Sequence, residues 1–204
     1  MMRKLRRRRG NAVIEFGLCT VFLVPLLLGG VVTGMNLNRS IQGTQVSRDA
    51  GHMFVRWVDF SLPANQEMVV RLARGLGMTR TGGNGVVILS RIMFIGETQC
   101  TEGNLSLSEC TNYNRPVFTQ RLVIGNAGLR SSNFGTPSPA ILNTKGEIAP
   151  ANYLTDPTAR TGNFESLLAL QPGEVAYVSE AYFASPDFNL GSWAGSGVYA
   201  RTIF

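Results

Sequence analysis

Two cysteines, Cys100 and Cys110, stand ten residues apart in "QCTEGNLSLSEC", with Glu97, Glu102 and Glu109 around them. In an oxidising compartment this spacing, in a stretch rich in Gly, Asn and Ser, suits a loop-closing disulfide; the alternative is two ordinary thiols. A zinc site would need more ligands, and the chain has one histidine, His52. The three glutamates could face a calcium ion, but the Asp-rich spacing of a calcium loop is missing, so they read as solvated charges. His52 sits among Gly51, Met53 and Phe54 with no partner that would mark a triad, and reads as a structural or surface residue. The run "TRTGGNG" lacks the Lys and Ser/Thr that a phosphate-binding loop places next, and reads as a glycine turn. Catalysis needs a convergent set of titratable groups, and the sequence offers none, so neither enzyme activity nor a cofactor or metal is expected. Asn38-Arg39-Ser40 and Asn104-Leu105-Ser106 match the glycosylation pattern, which is weak by itself.

The elements that carry these residues form an α+β chain. From Leu37 to Val58 apolar residues recur at mostly helical spacing, and no proline occurs between Leu26 and Leu62. A helix is therefore expected to run unbroken from the apolar N-terminal run to about residue 58, within a first segment of residues 11–60. So long a rod calls for neighbours along its length. A short second helix follows in "SLPANQEMVVRLARGLG", with Ser61 as N-cap, Pro63 in the first turn and Gly77 as the stop. Then the pattern turns to strands. "VVILSRIMFIG", "RPVFTQRLVIG", "GEVAYVSEAYFA" and "GVYARTIF" are rich in β-branched and aromatic residues and bounded by Gly or Pro, which gives four antiparallel strands in a domain of residues 61–204. Residues 126–172, with five prolines, form an insertion too long for an ordinary connection, either a surface excursion or partly mobile, with a helical turn near "FESLLAL".

Charge is distributed unevenly. The net charge is +6, and Arg3, Lys4, Arg6, Arg7, Arg8 and Arg9 supply six of the 19 basic residues. The 13 that remain match the 13 acidic residues, so the rest of the chain is formally neutral. A neutral domain has no electrostatic means of holding a phosphate backbone, and nucleic acid is set aside as a partner. Phe16 to Asn38 gives 23 residues without a charge. A helix of that length reaches about 34 Å, enough for a hydrocarbon core of about 30 Å. A cleaved secretory signal would have a shorter apolar region ending in small residues, and a lipoprotein signal at Cys19 would want Gly or Ala where Leu18 stands. The basic leader places the N-terminus in the cytoplasm and everything after residue 38 outside.

One carboxylate, Glu15, stands at the start of this apolar run, six residues after Arg9. Acidic residues within membrane helices cost about 2.5–3.5 kcal/mol at the centre and less near the edge, and they commonly mark a functional partner. The simpler reading is a side chain that reaches headgroups and water. The stretch "RRRRGNAVIEFGLCTVFLVPLLLGG", a basic leader ending in Gly10, four residues, then Glu15-Phe16 and an apolar helix, resembles the prepilin-peptidase signal of type IV pilin-like proteins. The Arg-Arg-Gly leader, the Glu-Phe pair and Pro25 are most similar to the TadE-like minor pilins of tight-adherence (Tad/Flp) pilus systems. That resemblance implies cleavage between Gly10 and Asn11 by a membrane prepilin peptidase. It also implies an inner-membrane subunit with its domain outside, and assembly with other pilin subunits and the assembly platform into a surface fibre for adherence. Glu15, fifth in the mature chain, would then pair with the new ammonium of Asn11 on a neighbour. Pro25 with Gly29, Gly30 and Gly34 would let the helix bend during transfer, or else simply pack small residues against a neighbouring helix. The other reading is a single-pass membrane protein whose outer domain recognises a ligand through residues 126–172.

Overall fold

The computed structural model describes residues 11–184 and 197–204. The architecture is α+β, with a long N-terminal apolar helix, short helices and antiparallel sheets. The chain divides into two units, one up to Asn38 and one from Arg39 to Phe204. Helix α1 (Asn11–Val55) crosses that division. In the first unit, no residue from Ala12 to Asn38 is buried. This stretch lies in a helix long and apolar enough to cross a membrane.

The second unit takes in the last part of α1, from Arg39, together with residues 61–204. The reason is two adjacent rows of residues four apart, Gly43–Ser47–Gly51 and Val46–Ala50–Phe54, all buried. Side chains four apart share one helix face. Small residues in one row let the helix lie close to the sheet, and Ser47 Oγ donates to the Ser179 carbonyl at 3.1 Å.

α1 ends at Val55, three residues short of the expected boundary, in a paired-hydrogen-bond stop. Trp57 N–H donates to Phe54 O at 3.0 Å and Val58 N–H to Met53 O at 3.1 Å. This pattern needs a left-handed residue, usually glycine; here it is Trp57, with φ 64°. A side chain in that conformation costs about 1–2 kcal/mol. Helix α2 (Pro63–Leu72) starts from Leu62, which makes no side-chain cap. Ser61, the expected cap, instead gives both its N–H (2.9 Å) and its hydroxyl (2.6 Å) to Asp59 Oδ1. Gly77, with φ 70°, closes the turn after α2, as its type requires.

The glycine run folds as a small hairpin of β1 (Met78–Thr79) and β2 (Gly82–Gly83). The main sheet has β3 (Gly85–Ile95), β4 (Arg115–Gly125), β5 (Val175–Ala184) and β6 (Gly197–Ile203), antiparallel in the order β4-β3-β5-β6. Its two faces are buried against different partners. Val87, Leu89, Leu122, Ile124, Ala181 and Phe183 pack with α1 and with Val69 and Ala73 around α2. Ile92, Phe118, Ala176 and Val178 pack with Phe134, Ile148 and Phe164 of the 126–172 segment.

That segment is therefore no loose excursion, and the helical turn expected near "FESLLAL" is present, with Leu167 and Leu168 N–H both donating to Phe164 O at 2.9 and 3.1 Å. It carries a short helix, α4 (Pro150–Thr155), covers one sheet face with aromatic residues, and adds bridges Val117↔Arg160 and Gln120↔Glu147 along β4. Those contacts satisfy an otherwise open strand edge. A further short helix, α3 (Glu97–Glu102), carries Cys100 and leads into the cysteine loop, and Gln99 Oε1 accepts from Gly96 N–H at 2.9 Å at its start.

Candidate functional site

Glu15 is the fifth residue of α1, just past its first turn. The apolar side chains beside it are open to their surroundings: Ile14 is 68% and Phe16 74% exposed. The segment's two threonines are satisfied within the helix. Thr20 Oγ1 donates to Phe16 O at 2.7 Å and Thr33 Oγ1 to Gly29 O at 2.8 Å. Such back-bonding lets a hydroxyl sit in an apolar medium without an unmet donor. The Glu15 carboxylate has no counterpart of this kind among the described residues. Pro25 lies in the helix interior, and an added Cβ at Gly17, Gly29, Gly30 or Gly34 would meet nothing within 4 Å. The processing residue Gly10 and the basic leader lie outside the described residues. Asn11 is the first residue of α1.

Cys100 and Cys110 are joined, with Cα atoms 5.8 Å apart, and both sulfur-bearing residues are buried beside Ile95, Val117 and Leu154. Asn112 fastens this loop to α4. Its Nδ2 donates to the carbonyls of Tyr153 and Asp156, both at 2.8 Å, and its Oδ1 accepts from Arg160 Nε at 2.7 Å. Glu109 accepts from the Ser106 hydroxyl at 2.6 Å and the Ser106 N–H at 3.0 Å, and these bonds hold its carboxyl below the usual range. Cys19 is a free, exposed thiol. Among the described residues no three His, Cys, Asp or Glu side chains meet as a metal-ligand set. The His52 ring lies 4.6 Å from that of Phe204.

One cluster of ionisable groups escaped the sequence reading. Glu180, in the middle of β5, is 2% exposed. Its Oε2 accepts from the Ser132 hydroxyl, and its Oε1 from Asn133 N–H at 3.1 Å and the Tyr199 hydroxyl at 2.7 Å. Arg121, also buried, donates to Gly135 O at 3.0 Å, and Arg130 lies 4.2 Å over the Tyr199 ring. Burial, then the bond to Glu180, pushes the Tyr199 hydroxyl far above its ordinary pKa, and burial lowers that of Arg121. The pocket against Glu180 and Tyr199 has no room for a water molecule. With its oxygens occupied and no space for a substrate, Glu180 acts as a clasp that ties residues 132–133 to the sheet. Alternation along "VAYVSEAYFA" could have shown that Glu180 shares a face with Ala176 and Val178, but nothing in sequence marks Ser132 as its partner.

Comparison with family models, with curated proteins and with solved structures returns no match to this chain.

Proposed function

We propose that this chain is a minor pilin of the TadE-like kind. It is inserted in the bacterial inner membrane by the apolar part of α1, with its N-terminus in the cytoplasm and residues from Arg39 onward outside. A prepilin peptidase cuts it after Gly10, and it then joins or primes a tight-adherence pilus at the cell surface. The observation that carries this reading is one carboxylate, Glu15, at the fifth position after the leader glycine, on a helix whose apolar surface is open from Ala12 to Asn38.

The mechanism follows from those groups. Cleavage creates an ammonium at Asn11, whose reference pKa of about 7.7–8.0 leaves it largely charged at neutral pH. In a bundle of such helices, Glu15 of one subunit pairs with that ammonium on its neighbour, beside a first turn whose N–H groups are themselves unsatisfied. A carboxylate without a partner is strongly disfavoured in so apolar a setting, so the pair fixes axial register as well as adding attraction. The α+β unit is then carried on the outside, where the buried disulfide suits an oxidising compartment.

Mass spectrometry of the native protein's N-terminus tests the processing step: a mature end at Asn11 is expected, lost when Gly10 is made bulky. An intact Met1 end overturns the assignment. Glu15→Leu is expected to insert and be cleaved as the wild type but to drop out of purified pili, and its normal incorporation would rule out the pairing.

A further inference from the structure

The stop of α1 uses a tryptophan where glycine would fit without strain, and that tryptophan is 73% exposed. Nothing about ending the helix needs an indole there, so the reason lies in what its ring faces. Trp57 forms one wall of a small cleft of about 120 Å³. Tyr177 meets the indole edge-on, with centroids 6.2 Å apart, and Arg91 Cζ lies 6.0 Å from the indole centroid. Gln120, Asp59, Lys145 and Glu147 complete the polar rim.

Arg91, Gln120 and Glu147 of this cleft are held in place by bonds of their own. A bulge between Arg91 and Ile92 leaves Thr119 as an extra residue in β4, and Thr119 Oγ1 accepts from Arg91 Nε at 2.8 Å. The two Nη groups of Arg91 have no partner among the described residues. Gln120 Nε2 donates to Lys145 O at 3.1 Å, and Glu147 Oε2 accepts from Asn143 Nδ2 at 3.0 Å. A rim already ordered loses little freedom when a ligand arrives.

We propose that this cleft binds a single ring of an uncharged saccharide, stacked on the indole of Trp57. Three features select that chemistry. Charge is balanced, Arg91 and Lys145 against Asp59 and Glu147, so neither an anion nor a cation gains by entering. The rim offers both donors and acceptors, which matches hydroxyls, each able to do both. The flat indole face is negative at its centre and suits the weakly positive C–H bonds of a sugar ring. A neighbouring protein's apolar side chain would fit worse, since it would strip water from four charged groups and return no hydrogen bonds. The size suits one ring and not a folded surface. The inference stands apart from the pilin assignment and holds for any role of the α+β unit.

The test uses the full chain in lipid nanodiscs, since sugar-headgroup detergents would compete. In a Trp193→Phe background the fluorescence reports Trp57 alone. Glucose, galactose, N-acetylglucosamine and their β1,4-linked disaccharides are titrated, with tetramethylammonium and inorganic phosphate as charged probes. A saturable change with at least one neutral sugar, in the millimolar range, is expected, and none with the charged probes. Saturation-transfer NMR with the same sugar should then show at least tenfold weaker binding to Trp57→Gly, whose thermal midpoint stays at or above that of the parent because glycine relieves the strained backbone. Gln120→Ala, which leaves the helix stop untouched, should weaken binding several-fold. Absence of any sugar response, undiminished binding in both variants, or preference for a charged probe would each overturn the proposal.

Discussion

The two halves of α1 treat their apolar and small residues in opposite ways. Between Ala12 and Asn38 no side chain is buried, and Val13, Phe16, Phe22 and Leu26 are each more than two-thirds exposed. From Gly43 to Phe54 one face is fully covered, and each residue on it has a defined neighbour: Gly43 faces Val198 and Phe183, and Gly51 faces Phe204 and Ser179. In the second half, size is specified at each position by the sheet. In the first, only apolarity is specified, because the described residues supply no surroundings that complete it. The same substitution should therefore be read by different instruments in the two halves: unfolding in one, membrane insertion or assembly in the other.

The largest effect should come from the part of the second unit that the sequence pattern described as an excursion. Phe134 is 1% exposed and meets Phe164 edge to face, with centroids 5.3 Å apart. Phe134→Ala is expected to cost about 3–5 kcal/mol in denaturant unfolding, while Phe16→Ala leaves the same transition where it was. A small effect at Phe134 would mean that residues 126–172 do not belong to the core, and would break the contrast. Next in size is the disulfide. It spans ten residues, so replacing Cys100 and Cys110 by Ser should cost about 2–3 kcal/mol by the chain-entropy relation. Reductant should lower the midpoint of the parent by a similar amount and leave the double variant unchanged.

Much of the layout was legible in sequence because it rests on local periodicity. The four strand segments, the apolar helix and the glycine turn each carry their own pattern, and the paired cysteines have a spacing that a loop can close. What was not legible depended on contacts between distant residues. Gly43, Ser47 and Gly51 carry no signal of their own in sequence, since their smallness matters only against β5 and β6. Proline and glycine in residues 126–172 suggest irregularity, and irregular it is; burial of Phe134, Ile148 and Phe164 follows from tertiary packing that composition does not encode. Ser61 carries a good cap side chain, yet Asp59 two residues before it offers a competing turn and takes the hydroxyl. Trp57 shows the same limit: a left-handed tryptophan has no sequence signature, and its cleft with Arg91 and Tyr177 joins residues far apart in the chain.

Glycine gives the most direct comparison within one helix. A Cβ at Gly51 would stand 2.3 Å from Phe204 Cε2 and 3.1 Å from Ser179 Cβ, whereas at Gly30 it would meet nothing. Gly51→Val should lower stability by about 1–3 kcal/mol, since the terminal ring can shift but the sheet behind it cannot. Gly30→Val should leave the unfolding transition unmoved. If Gly30→Val inserts normally but fails to assemble, the small-residue face is a contact with another helix; if it assembles, the face needs only to be apolar.

The smallest expected effect separates a clasp from a solvated surface by its response to pH. Tyr199 donates to Glu180, and its folded-state pKa is raised from an ordinary value of 10.0, first by burial and then by that bond. A raised pKa means that the fold favours the protonated phenol. Its contribution is therefore complete below about pH 10 and is lost as pH climbs through the higher folded value. The thermal midpoint should fall with rising pH on the alkaline side. Tyr199→Phe should cost only about 0.5–1.5 kcal/mol at neutral pH, because Ser132 and Asn133 still hold the Glu180 carboxylate. It should also flatten the alkaline fall without abolishing it, since burial raises the Tyr153 hydroxyl as well and that group remains. An alkaline limb identical in Tyr199→Phe and the parent would show that Glu180 and Tyr199 are solvated in practice, and would place this cluster with the open half of the helix rather than with the core.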